Sequence, residues 1–494
     1  MIALHMDRPD FENDIRALLM SFFFGEKIVS DAQALKMKPE HRSFEHEFSF
    51  LHRGDAAFIK ISSADGRQDQ ALIEGPGADR RADRDRLKTQ VYRLLSSYTG
   101  QMLPWGTLTG VRPTKIPMEK LEQGFSQEEA AFYMEETYLV SPEKAWEAAE
   151  VARRELGIMR KICQDRGLTY IPGLPLPGFS LYVGIPFCPS ICAYCSFSSY
   201  PVSVWEKRVD EYIDALIREI NSVPARMRRP SSFYMGGGTP TSLTASQLDR
   251  VLSALDEHFD MASCPEKTVE AGRPDSIDRD KLRVMKKHGI DRISINPQTM
   301  KQETLDMIGR RHRVEDIVNA CRLAREEGFA DINMDLITGL PGENAEDMRQ
   351  TMEKVCALGP ESITVHSLAL KRAAFLNQNR EKFPVPSQDE TRSMADISRS
   401  YAMGAGLVPY YLYRQKNIAA NLENVGYARE GSECRYNMII MEEVQSIVAL
   451  GCGSISKKVF PGFRIERCAN VKSVDDYIRR IDEMIGRKAA LFEE

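Results

Sequence analysis

Phe187-Cys188-Pro189-Ser190-Ile191-Cys192-Ala193-Tyr194-Cys195 is the stretch from which the rest of the chain can be read. Three cysteines spaced C-x3-C-x2-C on a short loop can bring three thiolates to one inorganic cluster. A 4Fe-4S cluster usually takes four cysteine ligands, so a local set of three leaves one iron open to another ligand and to chemistry. A zinc site or plain packing are the alternatives. Zinc wants four ligands, usually as two separated pairs. Here no second C-x2-C pair exists, and the other cysteines of the ten are scattered singly.

Working outward, Ser180-Leu181-Tyr182-Val183-Gly184-Ile185-Pro186 reads as a buried strand. Trp205, Val209, Tyr212, Ile213, Leu216, Ile217 and Ile220 then recur at helical spacing, so this helix covers a sheet. Strand and helix alternate from there on, with strands expected at about 180–187, 231–236, 267–271, 291–296, 331–337 and 362–368. Six such βα units predict a parallel sheet with helices outside. They are too few to close an eight-stranded barrel, which leaves a curled, partial barrel with a lateral opening. The active site of such a sheet belongs at the C-terminal ends of its strands, where the cysteine loop lies.

Residues 1–175 have a different pattern. Ile2 to Met6 is expected to be a strand, Phe11 to Phe23 a helix, and 44–74 two or three antiparallel strands. Helices follow from about 83 to 166, broken by Pro104 and by the loop Thr107 to Pro113. The Pro/Gly segment Tyr170 to Gly178 predicts a boundary, giving a mixed α/β domain over 1–175, a barrel over 176–385 and an α/β extension over 386–494. The 494 residues carry a net charge of −5, and the 28% of charged residues are spread without blocks, so no nucleic-acid footprint is present. No apolar run reaches the roughly 18 residues of a membrane span, and Met1-Ile2-Ala3-Leu4-His5 has no cationic stretch leading into an apolar one. A cytoplasmic location is expected. Ten cysteines there are not a disulfide framework, and an exposed cluster iron implies an anaerobic or microaerobic cell.

Further chemistry-bearing residues fall at strand ends. Tyr234-Met235-Gly236-Gly237-Gly238-Thr239-Pro240-Thr241 exposes backbone donors and carbonyls against which a zwitterionic amino acid can lie. A phosphate loop is the rival, but the Lys-Ser/Thr of a P-loop is absent. Glu270, Gln298 and Asp335 end later strands, where a carboxylate or amide can accept from an amino group or ribose hydroxyl; helix capping is the plain alternative. Arg310-Arg311-His312-Arg313 is either a solvated turn or a grip for carboxylates.

With these motifs in view, the chain resembles radical S-adenosylmethionine (SAM) enzymes, and within them the oxygen-independent coproporphyrinogen III oxidase and haem-chaperone family. The likeness runs over about residues 178–458: Tyr182 to Phe197, Gly236 to Thr241, Arg292 to Gln298, Asn333 to Gly342 and Gly451 to Ser456. It implies the fold of a radical SAM partial (β/α)6 barrel. It also implies a 4Fe-4S cluster on Cys188, Cys192 and Cys195, with SAM chelating the open iron and being cleaved to a 5′-deoxyadenosyl radical. By the same likeness Tyr182, Tyr194, Gly238, Thr239, Glu270, Gln298, Arg310, Asp335, Ala369 and Ile455 fall on SAM-contacting positions of a family that can hold two SAM molecules, with Tyr182 and Glu270 also counted as catalytic. The extra N-terminal domain, the loop from Thr107 to Thr114 and Pro409 to Asn417 are similar to the longer coproporphyrinogen dehydrogenase group, the HemZ type.

Two departures from the family pattern stand out. Phe197 replaces a cysteine of the best-characterised oxidases, as it does in the chaperones. The chaperones' His-Asn-x-x-Tyr-Trp motif is absent at Tyr436-Asn437-Met438-Ile439-Ile440-Met441. The resemblance therefore implies oxidative decarboxylation of coproporphyrinogen III to protoporphyrinogen IX, served by a low-potential electron donor and an electron acceptor. A haem-binding chaperone, or an enzyme acting on another tetrapyrrole, is the alternative. Charge and location make Arg311, Arg313, Arg372, Arg414 and Lys416 candidates for holding substrate carboxylates.

Overall fold

The computed structural model describes residues 1–54, 56–73, 79–369, 374–415 and 421–493. Its residues group into two units, Met1–Ala152 with Tyr413–Glu423, and Arg153–Leu412 with Asn424–Glu494. The division falls inside the helix Pro142–Gln164, ahead of the Pro/Gly segment at 170–178. Tyr413–Glu423 joins the first unit from far along the chain, a return that local composition does not announce.

In the first unit β1 (Ile2–Met6), β2 (Ile28–Ser30), β3 (His46–Arg53), β4 (Ala56–Ser63) and β5 (Gln68–Ile73) form one sheet in the order β2-β1-β3-β4-β5. β3, β4 and β5 are antiparallel neighbours, while β1 runs parallel to both β2 and β3. Period-two alternation buries Phe48 and Phe50 of β3 and Ile59 and Ile61 of β4. The helices Glu12–Phe22 and Arg80–Thr99 share that core through Ile15, Leu18, Leu19 and Phe22 and through Leu87, Val91 and Leu95.

The second unit begins with β6 (Phe179–Ile185). A short ladder, β7 (Phe187–Cys188) with β8 (Tyr200–Pro201), closes the base of the cysteine loop. β9 (Ser232–Gly237), β10 (Lys267–Gly272), β11 (Arg292–Ile295), β12 (Asp331–Thr338) and β13 (Ser362–Ser367) follow, each parallel to its neighbour. These are the six strands expected from periodicity. Because helices cover them, they read as near-continuous apolar runs, with Leu181, Val183 and Ile185 all fully buried. The helix Val209–Asn221 buries Tyr212, Ile213, Leu216 and Ile220. The helix Ala245–His258 starts at a Thr244/Gln247 capping box and buries Leu248, Val251, Leu252 and Leu255.

The extension adds β14 (Val408–Tyr413), β15 (Asn424–Ala428), β16 (Ser446–Leu450), β17 (Ile455–Val459) and β18 (Ile465–Ala469) to the same sheet, whose order is β14-β15-β13-β12-β11-β10-β9-β6-β16-β17-β18. β15 runs antiparallel to β13. β16 lies parallel to β6, in register from Ser446 opposite Phe179 to Leu450 opposite Val183. The cysteine strand is thus an interior strand, flanked on its far side by a segment from the end of the fold.

A buried ionic knot fixes that junction. Glu219 Oε2 accepts from the Gly451 amide at 2.7 Å and the Tyr477 hydroxyl at 2.6 Å, and Oε1 accepts from Asn470 Nδ2 at 2.7 Å and Lys488 Nζ at 2.5 Å. Burial pushes the Glu219 carboxyl up, but the Lys488 ammonium and these donors outweigh it and hold it below its ordinary 4.5. Among the described residues no helix is long and apolar enough to cross a membrane.

Candidate functional site

The cysteine loop, the Gly238 turn and Gln298 follow the parallel strands, while Tyr182, Glu270 and Asp335 lie within β6, β10 and β12. The glycine run after β9 returns the chain so tightly that the Gly238 amide donates to the Ile185 carbonyl at 2.7 Å and the Thr239 amide to the Phe187 carbonyl at 2.7 Å. A Cβ on Gly238 would stand 2.6 Å from the Phe187 oxygen and 2.9 Å from that of Ile185, so only glycine fits. The Thr239 hydroxyl then reaches Cys188 Sγ at 3.5 Å.

The cysteine loop is pinned from several elements. Ala193 donates to the Ile308 carbonyl and accepts from the Leu376 amide, both at 2.9 Å, and Ser190 Oγ donates to the Gly309 carbonyl at 3.0 Å. Arg310, 5% exposed, bonds to the Asn296 carbonyl and lies against Tyr194 and Cys192. Its guanidinium keeps its charge: burial disfavours that charge, and the neighbouring Tyr194 and Cys192 more than restore it.

Beside the loop, Tyr182 on β6, Tyr234 on β9 and Tyr436 on the helix Arg435–Glu442 form a near-parallel stack. Ring centroids are 4.6 Å apart for Tyr234 and Tyr436 and 6.0 Å for Tyr182 and Tyr436. Tyr436 is held there by Glu266, whose carboxylate accepts from the Arg435 and Tyr436 amides at 2.6 and 3.0 Å. Tyr234 donates to Glu270 Oε1 at 2.5 Å. Burial pushes the Glu270 carboxyl up to about 7, with nearby Asp335 adding to the rise. Asp335 goes the other way. Burial raises it, but His366, 3.8 Å away, Asn333 Nδ2 at 2.7 Å and Thr364 outweigh that and hold it below its usual value. The two nearby carboxyls are thus shifted in opposite directions, Glu270 toward the protonated form and Asp335 toward the anion.

Gln298 follows β11 in the left-handed region at φ 70°, 6% exposed, a costly conformation for a non-glycine residue. It is fixed by backbone bonds from Gln298 to Asp335 and from Ile337 to Gln298, at 2.9 and 3.0 Å. Contacts therefore link Tyr182, Glu270, Asp335 and Gln298 into one chain of neighbours, and Cys188, Cys192, Tyr194, Thr239 and Arg310 into another. Ala369, half-buried, stands just past β13, and Ile455, 47% exposed, opens β17 after the Gly451 turn. Both occupy the same rim by topology.

Of the arginines expected to hold carboxylates, Arg414 is a correction. It is 4% exposed and its guanidinium donates to the Leu108 carbonyl at 2.6 Å and to Asn421, so backbone satisfaction uses the cation. Arg311 and Arg313 are exposed and line a surface cleft of about 740 Å3 with Lys301 and Asp347. Arg372 and Lys416 lie outside the described residues. Sequence reasoning missed Arg273 and His366, and gave the side chains of Tyr234 and Tyr436 no place in the site. Arg273 carried a signal, just past β10 and three residues after Glu270; the stacking of Tyr436 carried none, because its neighbours are far away in the chain.

The three thiols suit a shared cluster. Each has its own polar neighbour: Thr239 for Cys188, Arg273 Nη1 at 3.7 Å for Cys192, and Ser199 Oγ at 3.9 Å for Cys195. Burial pushes the Cys188 thiol up to about 11, with the neighbouring Cys195 and Cys192 adding to the rise, so its thiolate calls for compensating positive charge such as a bound cluster iron would supply. Among the described residues no three such side chains converge as tightly as a single metal ion requires. A cubane spreads its thiolates over separate irons.

Comparison with known proteins agrees with this geometry. The profile of the Radical SAM superfamily matches residues 182–355. Over 407 residues the chain is 40% identical to the oxygen-independent coproporphyrinogen-III oxidase-like protein HemZ of Bacillus subtilis, covering 81% of this chain and 79% of that one. The chain belongs to the radical SAM superfamily, in the HemZ-type family. As a radical SAM protein it uses a 4Fe-4S cluster and SAM. The haem chaperone HemW of Bacillus subtilis is 30% identical over 308 residues, 62% of this chain and 76% of that one. The solved structure of Escherichia coli HemN, a coproporphyrinogen III oxidase, superimposes with a TM-score of 0.52 at 25% identity, over 63% of this chain and 70% of that one.

Proposed function

We propose that the chain carries out oxygen-independent oxidative decarboxylation of coproporphyrinogen III to protoporphyrinogen IX, with Cys188, Cys192 and Cys195 holding the cluster. When bound, the cluster and SAM supply a 5′-deoxyadenosyl radical for hydrogen abstraction. The protein's share is placement. The Gly236–Gly238 turn offers its backbone to the amino-acid end of SAM, Asp335 and Gln298 offer acceptors to its amino or hydroxyl groups, and Glu270 holds a proton near neutrality at the Tyr234 hydroxyl. The pinned loop keeps the three thiolates fixed relative to those groups, which is what brings a reacting carbon close to the radical.

The observation that carries this reading is the single rim shared by the cysteine loop, the Gly238 turn and the Glu270–Asp335 pair, in a chain 40% identical to an oxidase-like protein. A second reading, haem binding and transfer, draws support from Phe197, which is 73% exposed on the cysteine loop and shared with the chaperones. Tyr436 counts against it, since it stands where their histidine would be.

The test is anaerobic reconstitution with coproporphyrinogen III, SAM, a reductant and an electron acceptor, followed by product mass. Each propionate would lose one hydrogen atom, one electron and one carbon dioxide to leave a vinyl group. Two such losses with matching deoxyadenosine support the oxidase. Stoichiometric haem binding with no change in coproporphyrinogen mass, while SAM cleavage is active, supports the chaperone.

A further inference from the structure

We infer that Arg273 is a positioning residue for the cluster that also sets its charge environment, holding Cys192 and raising the potential at which the cluster accepts an electron. This rests on the reading that Cys188, Cys192 and Cys195 are the cluster ligands.

Arg273 follows β10 directly and is 3% exposed. Its Nε and Nη2 meet Asp275 in a two-pronged pair at 2.9 and 2.8 Å. Nη1 points to the cysteine loop, donating to Ser190 Oγ at 3.0 Å, to the Ser190 carbonyl at 3.4 Å and toward Cys192 Sγ at 3.7 Å. A guanidinium gripped by a carboxylate on two nitrogens has a fixed plane, so the third nitrogen is aimed and not free to rotate away. Through Ser190, whose hydroxyl donates to the Gly309 carbonyl, the same contact fastens the loop.

A fixed cation with an N–H directed at a ligand sulfur favours the more negative, reduced cluster over the oxidised one. Net charge and hydrogen bonds to the sulfurs are among the quantities that set such potentials. Asp275 offsets part of that charge. His312, 1% exposed, lies 3.8 Å from Asp275 and its ring nitrogens have no hydrogen-bond partner among the described residues, so the Arg273 side chain is the cation that Asp275 engages by hydrogen bonds. Removing the cation and removing its counter-ion should therefore move the potential in opposite directions, a pattern that simple loosening of the loop does not produce.

The experiment is a dithionite titration of the full-length, anaerobically reconstituted chain without SAM, followed by the electron paramagnetic resonance of the reduced cluster and by iron content. Arg273→Met is expected to keep most of its iron and to shift the midpoint to a more negative value. Arg273→Lys, which keeps charge without the fork, should shift part of the way. Asp275→Asn should shift to a more positive value. An unchanged midpoint in iron-replete Arg273→Met, or a negative shift in Asp275→Asn, overturns the inference. If Arg273→Met loses its iron, the sign in Asp275→Asn decides. Wild type that binds no iron, or a triple cysteine variant that keeps it, would instead remove the ligand reading itself.

Discussion

Lys488→Met tests the knot that fixes the seam between β6 and β16. In the wild type the Glu219 carboxylate, 0% exposed, has one cationic partner and three neutral donors. The methionine fills the space of the lysine stem but leaves a buried anion without a counter-charge. Breaking a buried pair from one side costs about 3–5 kcal/mol, and the three remaining hydrogen bonds place the expected loss near the lower end, at about 3 kcal/mol. Combining Glu219→Gln with Lys488→Met removes both charges and should recover at least ~1 kcal/mol.

The pH dependence has a definite sign. In the wild type Glu219 lies below its ordinary 4.5, so its stabilising contribution is present above that value and lost as pH falls through the lowered one. Without Lys488 the carboxyl rises, and protonation relieves the penalty. The gap between variant and wild type should shrink as pH falls from about 7 toward 5. Urea unfolding gives the gap, and hydrogen exchange of the segment containing the Gly451 amide assigns it to the barrel. A loss under ~1 kcal/mol at neutral pH, or a gap that does not change with pH, would refute the reasoning.

Replacing Cys188, Cys192 or Cys195 by Ala should remove most of about four irons per reconstituted chain, whereas Cys434→Ala and Cys452→Ala should not; iron assay and absorbance decide. Gly238→Ala forces a Cβ to within 2.6 Å of the Phe187 carbonyl. It should cost about 1–3 kcal/mol in thermal unfolding and weaken SAM binding in equilibrium dialysis. Glu270 has a raised folded-state value of about 7 against an ordinary 4.5, so its ionisation opposes folding. The penalty is absent below 4.5, grows across that window and is complete above about 7, so Glu270→Gln should gain up to about 3 kcal/mol on the wild type as pH rises through it. A pH series of unfolding curves that stay parallel would contradict this.

The six parallel strands were legible because each announces itself locally, by a buried apolar run followed by a helical stripe. The cysteine loop, the Gly238 turn and Gln298 were legible for the same reason, since topology alone sends strand ends to one rim; Glu270 and Asp335, expected at strand ends, lie inside β10 and β12, two and three residues before their last residues. What stayed hidden depends on pairing between distant segments. β16 has no feature naming β6 as its partner, and Tyr436 reaches Tyr182 only because Glu266, on another element, caps its helix. Arg414 misled because charge in a sequence does not reveal burial; its two terminal nitrogens donate to the Leu108 carbonyl and to Asn421.

The pairing of β6 with β16 also bears on the order of events during synthesis. Ser180 meets Gln445 across about 265 residues, so the strand leading into the cysteine loop leaves the ribosome long before its second neighbour exists. In that interval β6 has a bare hydrogen-bonding edge beside three unprotected thiols, a form prone to wrong association. A nascent chain arrested before residue 446 would present the loop without the Gly451 turn or the Glu219 knot, and release of the last strands would then act as the latch that pairs the open edge of β6 and fixes the strand leading into the thiols.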